Sequence, residues 1–458
     1  MKTYAIVGTG HRSYMYLNAL IGPHAEDGRL VGLCDLNIGR AETAARVAAG
    51  KGFSVPVYAH TDFDRMIAEQ SPERVIVTVP DNIHAIYIER ALDLGCDVIT
   101  EKPLTMNAEA CARILAARRR TGRSVIVGFN YRYSPVRTLV KQVLMSGIIG
   151  HVQNCTFEWL LDTHHGADYF RRWHRTKSNS GGLFVHKATH HFDLLNWWLG
   201  TTPRRVTALG RRVFYRPEIG DAIGLTARGE RCTGCREFER CGFRLDIADN
   251  AHLTDLYAEN EHIDGYLRDK CVFSPDIDIE DSMNAMIEYD NGVVANYVLT
   301  AYNPQEGYRV VFDGTRGRLE LLNVERSHVQ PDGRLVRPAL EETNRVRVQP
   351  HFGRTYEMAL PKATGLHGGG DKVMLGRLFG PASNDEYGHV ADDRAGAWSA
   401  MVGIAANESL KSGSAVVLRD LVEGVETPDL VAEPYGAARI WQDFDPELYP
   451  FLEGAEIV

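Results

Sequence analysis

Short apolar runs and helically spaced apolar positions alternate through the first 128 residues. Residues 3–8 form an apolar run closed by glycine, and residues 29–35 form a second that ends on an acid. Residues 74–79, 97–100 and 124–128 repeat the pattern with β-branched side chains suited to buried strands. Between these runs, residues 38–49, 62–70, 82–94 and 107–121 carry the spacing of helices, and another helix begins near His11 to Ser13. Strands alternating with helices on short connections predict parallel βαβ units and a doubly wound sheet. The expected fold of residues 1–128 is therefore an α/β Rossmann domain that binds a dinucleotide.

Beyond Gly128 the periodicity changes. Residues 151–161 read as a long strand. Residues 282–299 read as two alternating strands about Asp290-Asn291-Gly292, whose Asn-Gly step tolerates the positive φ of a tight turn. Residues 308–314 and 318–322 make another pair, joined by Thr315-Arg316-Gly317. Strands in succession without helices predict a largely antiparallel open sheet. Residues 129–458 are thus expected to be an α+β domain for substrate binding and oligomerisation. Residues 214–280 are polar, irregular and cysteine-bearing, and read as an insertion into it. There is no internal repeat.

Composition narrows the class. A chain of 458 residues exceeds one ordinary core and implies two domains. Its 51 basic and 60 acidic residues leave a formal charge of -9, which argues against nucleic acid or an anionic membrane as partner. Arg118-Arg119-Arg120 reads as a solvated helix end. The opening residues already form a strand and turn, and no apolar run has the length to span a bilayer, so a cytoplasmic location is expected. Cys34, Cys96, Cys111 and Cys155 sit singly in apolar surroundings and read as small buried hydrophobes.

The chemistry starts at Gly8-Thr9-Gly10-x-x-Ser13, an imperfect G-x-G-x-x-G turn. Its first glycine permits the tight turn and its second lets backbone amides approach a pyrophosphate. Ser13 stands where the third glycine governs helix–strand packing. Asp35, at the end of the next strand, can accept from ribose hydroxyls and repel a 2′-phosphate, which favours NAD over NADP. The plainer reading of Asp35 is a helix-capping acid, and Arg40 nearby can soften the discrimination.

Taken in order, several motifs resemble the glucose–fructose oxidoreductase / inositol dehydrogenase / MocA family of sugar oxidoreductases. They are Gly8-Thr9-Gly10, Thr78-Val79-Pro80 with His84, Glu101-Lys102-Pro103 and Gly128-Phe129-Asn130-Tyr131-Arg132, then Gly181-Gly182 followed by His186, His190 and Asp193. The resemblance covers nearly all of residues 1–200 and, more loosely, the hairpins beyond. It implies a Rossmann domain, an open C-terminal sheet, a carbohydrate substrate and a homo-oligomer, either dimer or tetramer. It assigns cofactor contacts to Gly8, Gly10, His11, Arg12, Asp35, Pro80, His84, Glu101, Lys102 and Asn130. In such enzymes the lysine of the Glu-Lys-Pro motif touches the reacting hydroxyl, which maps to Lys102. An acid and a histidine four apart follow the two glycines, and here these positions hold His186 and His190. The expected aspartate is absent, with His186-Lys187 in its place.

Residue chemistry points the same way. Residues 186 and 190 are one helical turn apart, so both rings would share a face, and Asp193 can orient His190. An imidazole titrates near neutrality and can take a hydroxyl proton, while a desolvated ammonium at Lys102 stabilises alkoxide-like charge. His190 is then the general base, and the role of His186 stays open. His191 points off that face and reads as packing, as do Trp197 and Trp198. Tyr131, Arg132, Lys187 and Asp193 are expected to line the substrate cleft. Within Tyr169-Phe170-Arg171-Arg172-Trp173-His174-Arg175, the residues Arg172, Trp173 and His174 read equally as a clasp for an anionic or glycosidic substrate and as a loop pinned by cation–π contacts. His367-Gly368-Gly369-Gly370-Asp371 reads as a lid over the same site or a simple turn.

Cys232-Thr233-Gly234-Cys235, Cys241 and Cys271 have the spacing of a thiolate knuckle. Four thiols would close a tetrahedral structural zinc site, with an iron–sulfur cluster as the less favoured rival and His252 or His262 as substitute ligands. The combined expectation is an NAD-dependent dehydrogenase that oxidises a secondary hydroxyl of a sugar, cyclitol or glycoside. The alternative is an NAD-retaining glycosidase that oxidises transiently, eliminates, adds water and re-reduces. His164, His165, His174 and His186 would supply the extra bases it needs. A non-catalytic NAD sensor is a third class, disfavoured by the intact Lys102 and His190.

Overall fold

The runs of valine and isoleucine pair edge to edge as the alternation requires. In the computed structural model they are β1 (Lys2–Val7), β2 (Gly28–Asp35), β3 (Val57–Ala59), β4 (Arg74–Val77), β5 (Asp97–Thr100) and β6 (Val125–Val127). The structure describes residues 1–330, 334–336, 343–362, 366–382, 384–431, 449–452 and 454–458. The strands form one sheet in the order β6-β5-β4-β1-β2-β3, every pair parallel. β1 lies between β2 and β4, so strand order reverses at its carboxyl end, where open α/β sheets place their ligands. Helices α1 (Tyr14–Leu20), α2 (Ile38–Ala49), α3 (Phe63–Gln70), α4 (His84–Asp93) and α5 (Ala108–Thr121) link the strands. Asn37 and Asn107 cap α2 and α5 through their side-chain oxygens.

Among the described residues the second sheet has ten strands and is antiparallel except where β7 (Val152–Asp162) meets β10 (Val294–Asn303). The reading of alternating runs placed β7, β9 (Ser282–Tyr289), β10, β11 (Glu306–Gly314) and β12 (Gly317–Arg326). It missed β8 (Pro203–Arg211), an edge-side strand whose outward residues are largely exposed. Gly292 takes φ 91° in the β9–β10 turn, as the Asn-Gly step requires. The second lobe also holds α6 (Pro135–Met145), α7 (Thr163–Arg171), α8 (Lys177–Ser180), α9 (Leu183–His186) and α10 (Thr189–Leu199), and α7 packs on β7 and β10.

Two features tie the lobes together. Ala391 and Asp392 return to the first sheet as an antiparallel strand beside β6, so that sheet is not completed within residues 1–128. The long helix Asp393–Ser412 then runs buried between the lobes, with a Cβ at Gly403 lying 2.2 Å from the Phe184 carbonyl. Only glycine permits that approach. Arg118 pairs with Asp393 and Glu426, Arg119 with Glu426, and Arg120 with Asp93. The basic run is the largely solvated last turn of α5, as its sequence suggests, and Arg118 and Arg119 also tie it to Glu426 of the C-terminal segment.

Trp197 and Trp198 are buried, and their indole N–H groups donate to the carbonyls of Tyr387 and Arg137. His191 is packed in the same way, bonded to the Tyr297 hydroxyl at 2.6 Å and stacked on Trp159. Cys34, Cys96, Cys111 and Cys155 are buried free thiols. Among the described residues no helix is long and apolar enough to cross a membrane.

The insertion does not stand apart as a polar appendage. Ile247, Leu253, Leu256 and Tyr257 share one buried apolar cluster with Tyr14, Leu17 and Leu20 of the first lobe. Burying such side chains contributes about 25 cal/mol per Å² of apolar area, enough to hold the segment against α1 and α2.

Candidate active site

The glycine turn leaves β1 at the switch point. Gly8 has φ 87°, and a Cβ there would lie 2.6 Å from the Val79 backbone nitrogen, so no other residue fits. The Asp35 carboxylate accepts from the Thr9 hydroxyl at 3.0 Å and from the Asn37 backbone N–H at 2.7 Å, which locks the end of β2 onto the turn. The His11 backbone N–H donates to the hydroxyl of Tyr257, from the insertion, at 2.9 Å. Burial, then the charges of His252, Arg172 and Arg268, lowers the His11 imidazole to about 4. The Nε atoms of both arginines are buried without a partner. The glycine turn and the Asp35 carboxylate beside it suit the pyrophosphate and ribose of a dinucleotide, while Tyr257 takes the His11 amide.

Other residues assigned to the cofactor are engaged elsewhere. Arg12 Nε donates to Glu101 Oε1 at 2.6 Å, and the Tyr16 hydroxyl donates to the same oxygen at 2.9 Å. Arg12 and Glu101 thus hold each other and fix the turn before Lys102. His84 reaches the Pro103 carbonyl at 2.7 Å and the Val79 carbonyl at 2.9 Å. It braces the segment around Pro80 against the Glu-Lys-Pro segment rather than facing the crevice. Asn130 is tied to Asp371, whose other oxygen takes His367 at 2.8 Å. The segment 367–371 therefore packs beside the cleft, with its carboxylate bound to both neighbours.

Lys102 sits just past β5, and its Nζ is 3.3 Å from His186 Nε2 and 3.1 Å from the His186 carbonyl. His186 Nδ1 is 2.6 Å from Asp81 Oδ2. An ammonium facing Nε2 makes that nitrogen the acceptor, which places the ring proton on Nδ1 and directs it to Asp81. Burial lowers the Lys102 ammonium to about 8 against the opposing pull of Asp81 and Glu101. Burial and the nearby Lys102 hold His186 well below its ordinary value, so it remains a neutral acceptor. Asp81 supplies in space the carboxylate missing from the sequence position of His186. Its signal was present: it directly follows Pro80 at the carboxyl end of β4.

The two histidines are not on one helix face. α9 ends at His186 and α10 begins at Thr189, with the chain turning through Lys187 and Ala188. His190 stacks on Tyr131 with ring centroids 4.2 Å apart and leaves its Nδ1 buried without a partner. Burial, then Lys102 and Lys187, holds it well below its ordinary value. Asp193 does not orient it. The Asp193 carboxylate forms a two-pronged pair with Arg132 at 2.8 and 2.6 Å, and both side chains are almost wholly buried. Arg132 and Asp193 are thereby removed from the set expected to touch substrate, because the pair is buried almost completely.

Around Lys102 the remaining expected residues converge. Lys187 Nζ donates to the Tyr131 hydroxyl at 2.9 Å and lies over Trp159. Trp173 stacks on His174 at 3.7 Å, and His174 lies edge-on to His186 at 4.1 Å. Arg172 turns away to Asp168, which also pairs with Arg171 and Arg268. Of the aromatic-and-arginine segment, the rings border the cleft while Arg171 and Arg175 fasten it to the insertion through Phe243 and Asp276. A second chain of groups joins His165, named from the sequence as an extra base, to Glu306, which sequence reasoning missed. Glu306 Oε1 lies 2.7 Å from His165 Nδ1, and His165 Nε2 lies 3.1 Å from the Tyr169 hydroxyl. Tyr169 in turn packs 5.6 Å from the His186 ring.

The thiol expectation is corrected. Cys232, Cys235, Cys241 and Cys271 are free and border one narrow pocket with Phe243 and Phe273. Among the described residues, however, no group of three or more His, Cys, Asp or Glu is placed to hold a metal ion. Cys232 and Cys235 accept backbone N–H groups of Leu245 and Gly229, while burial raises the thiols of Cys241 and Cys271 and favours their protonated form. His252 faces His11 instead. Neither zinc nor an iron–sulfur cluster is supported.

Comparison with known proteins agrees with this architecture. A family model described as "Oxidoreductase family, NAD-binding Rossmann fold" matches residues 2–129. A second, described as "Oxidoreductase family, C-terminal alpha/beta domain", matches residues 141–418. The chain is 33% identical over 434 residues to YteT of Bacillus subtilis (strain 168), which carries a provisional oxidoreductase name; the match covers 92% of this chain and 99% of that one. It is 29% identical over 219 residues to the inositol 2-dehydrogenase of Rhizobium meliloti (strain 1021), covering 48% of this chain and 61% of that enzyme. In fold it is similar to the WlbA dehydrogenase of Bordetella pertussis, solved with NADH and UDP-GlcNAcA. That likeness has a TM-score of 0.59 at 18% identity and covers 91% of this chain and 98% of the other.

Proposed function

Because the chain belongs to the Gfo/Idh/MocA oxidoreductase family, as its two domain matches establish, we propose that it dehydrogenates a secondary hydroxyl of a sugar, cyclitol or glycoside. The observation that carries this reading is the hydrogen-bonded series Lys102–His186–Asp81 at the mouth of the first sheet. Bound NAD would supply the hydride acceptor. Its phosphates would lie at the Gly8-Thr9-Gly10 turn and its ribose near Asp35.

Lys102 donates to the substrate oxygen and stabilises the negative charge that grows there as the carbon loses hydride. His186 has both ring nitrogens occupied, so it aims Lys102 and does not itself receive the proton. His190 is neutral and close to Lys102, which leaves it the general base. The alcohol becomes a ketone, its hydroxyl proton passing to His190. Tyr131, Trp173 and His174 give stacking surfaces for a sugar ring, and Lys187 a donor for a further hydroxyl or carboxylate.

The test is incubation with NAD and a panel of sugars, cyclitols and glycosides, following NADH. No NADH with any member of the panel, alongside demonstrated NAD binding, counts against a dehydrogenase. The Glu306–His165–Tyr169 chain favours a second reading, the NAD-retaining glycosidase, because elimination needs an additional acid–base group. Release of aglycone from glycosides without accumulated NADH would select it. We further propose a cytoplasmic homo-oligomer with neither nucleic acid nor membrane as partner. Exposed Leu209 and Met286 on the open sheet support the self-association.

A further inference from the structure

The insertion lies on the part of the first lobe that would hold the adenosine half of the dinucleotide. Asn37 Nδ2 donates to the Asn260 carbonyl at 2.8 Å, and the Thr43 hydroxyl to the Asp255 carbonyl at 3.4 Å. A Cβ at Gly39 would lie 2.0 Å from Asn260 Oδ1, so the insertion rests directly on the first turn of α2. Tyr257 caps the His11 amide at the pyrophosphate end. At the ribose end, Arg40 pairs with Asp264 of the insertion while standing 3.6 Å from Asp35. Its guanidinium also lies 5.9 Å from the ring centres of both Tyr257 and Tyr266.

Arg40 is the cation near Asp35 that would otherwise receive a 2′-phosphate. Asp264 occupies it. The pocket edge then presents two carboxylates and one guanidinium, a net negative charge toward the ribose 2′ position. A 2′-hydroxyl is compatible with that edge, whereas a 2′-phosphate must displace Asp264 from Arg40 and lie beside Asp35.

We propose that the insertion is the outer wall of the dinucleotide site and that Asp264, by holding Arg40, sets its preference for NAD over NADP. This rests on the dinucleotide-dependent reading above and adds a specificity-determining residue from a segment outside the Rossmann domain. Tyr257 and Asn260 position the wall, and Asp264 supplies the discrimination.

The experiment is fluorescence titration of NADH and NADPH, without substrate, into the wild-type protein and the variants Asp264→Asn and Arg40→Gln. Wild type should bind NADH the more tightly. Asp264→Asn should narrow the gap roughly tenfold, chiefly by strengthening NADPH binding. Arg40→Gln should widen it by leaving both carboxylates unopposed. A ratio of affinities unchanged in both variants overturns the proposal, and Arg40→Gln alone decides it should Asp264→Asn fail to fold. Wild-type protein that binds neither nucleotide would instead sink the redox reading itself, and this proposal with it.

Discussion

Asp81 and His186 lie 105 positions apart in the chain and 2.6 Å apart in space. Through this bond the Rossmann lobe holds a ring of the second lobe against Lys102. The relationship makes the cleft a joint product of both lobes. A carboxylate in this position keeps the ring proton on Nδ1 and leaves Nε2 free for the ammonium.

Removing that carboxylate should loosen the lysine without disturbing the nucleotide. Asp81→Ala is expected to lower kcat by about one to two orders of magnitude. NADH affinity should stay within a few-fold, and Asp81→Asn, which keeps an acceptor, should lose less. Steady-state kinetics beside nucleotide titration separate the two effects; equal losses in both would show a general structural role.

Lys102→Ala should lower kcat by about a hundredfold or more while leaving nucleotide binding nearly intact. Comparable turnover in that variant with cofactor bound would refute the assignment of Lys102.

The depressed Lys102 value, about 8 when folded, also makes a stability prediction. The unfolded chain holds this proton up to the ordinary lysine range near 10.4, so between about 8 and 10 it binds more protons than the folded chain. Burying the ammonium therefore costs stability, fully below about 8 and progressively less as pH rises toward 10. Lys102→Met should stabilise the protein near neutrality, by at most on the order of 3 kcal/mol. That gain should shrink across alkaline pH, as urea unfolding of the two proteins at several pH values will show.

Arg132 and Asp193 make a different kind of pair, buried and bonded to each other. Arg132→Met or Asp193→Leu alone should destabilise by about 3–5 kcal/mol, since each strands a buried charge. The double variant should recover most of that loss. Denaturation midpoints across this cycle test it. A double variant no more stable than the singles would show that packing, and not the stranded charge, governs the site.

The chain alone determined the strand–helix alternation of the first lobe, the glycine turn at Gly8, Asp35 at the end of β2, Lys102 past β5 and the hairpin about Asn291-Gly292. These are local properties, set by side-chain periodicity and by backbone conformations that few residues tolerate. Only the tertiary structure decided that Asp81 serves His186, that Asp193 belongs to Arg132 and that Arg40 is held by Asp264. It also decided that Ala391 and Asp392 complete the first sheet. Each of these joins groups from distant elements, and desolvation on burial forces a polar group to find whichever partner packing brings within reach. Periodicity shows which face a residue turns inward; it carries no information about which remote side chain will meet it there.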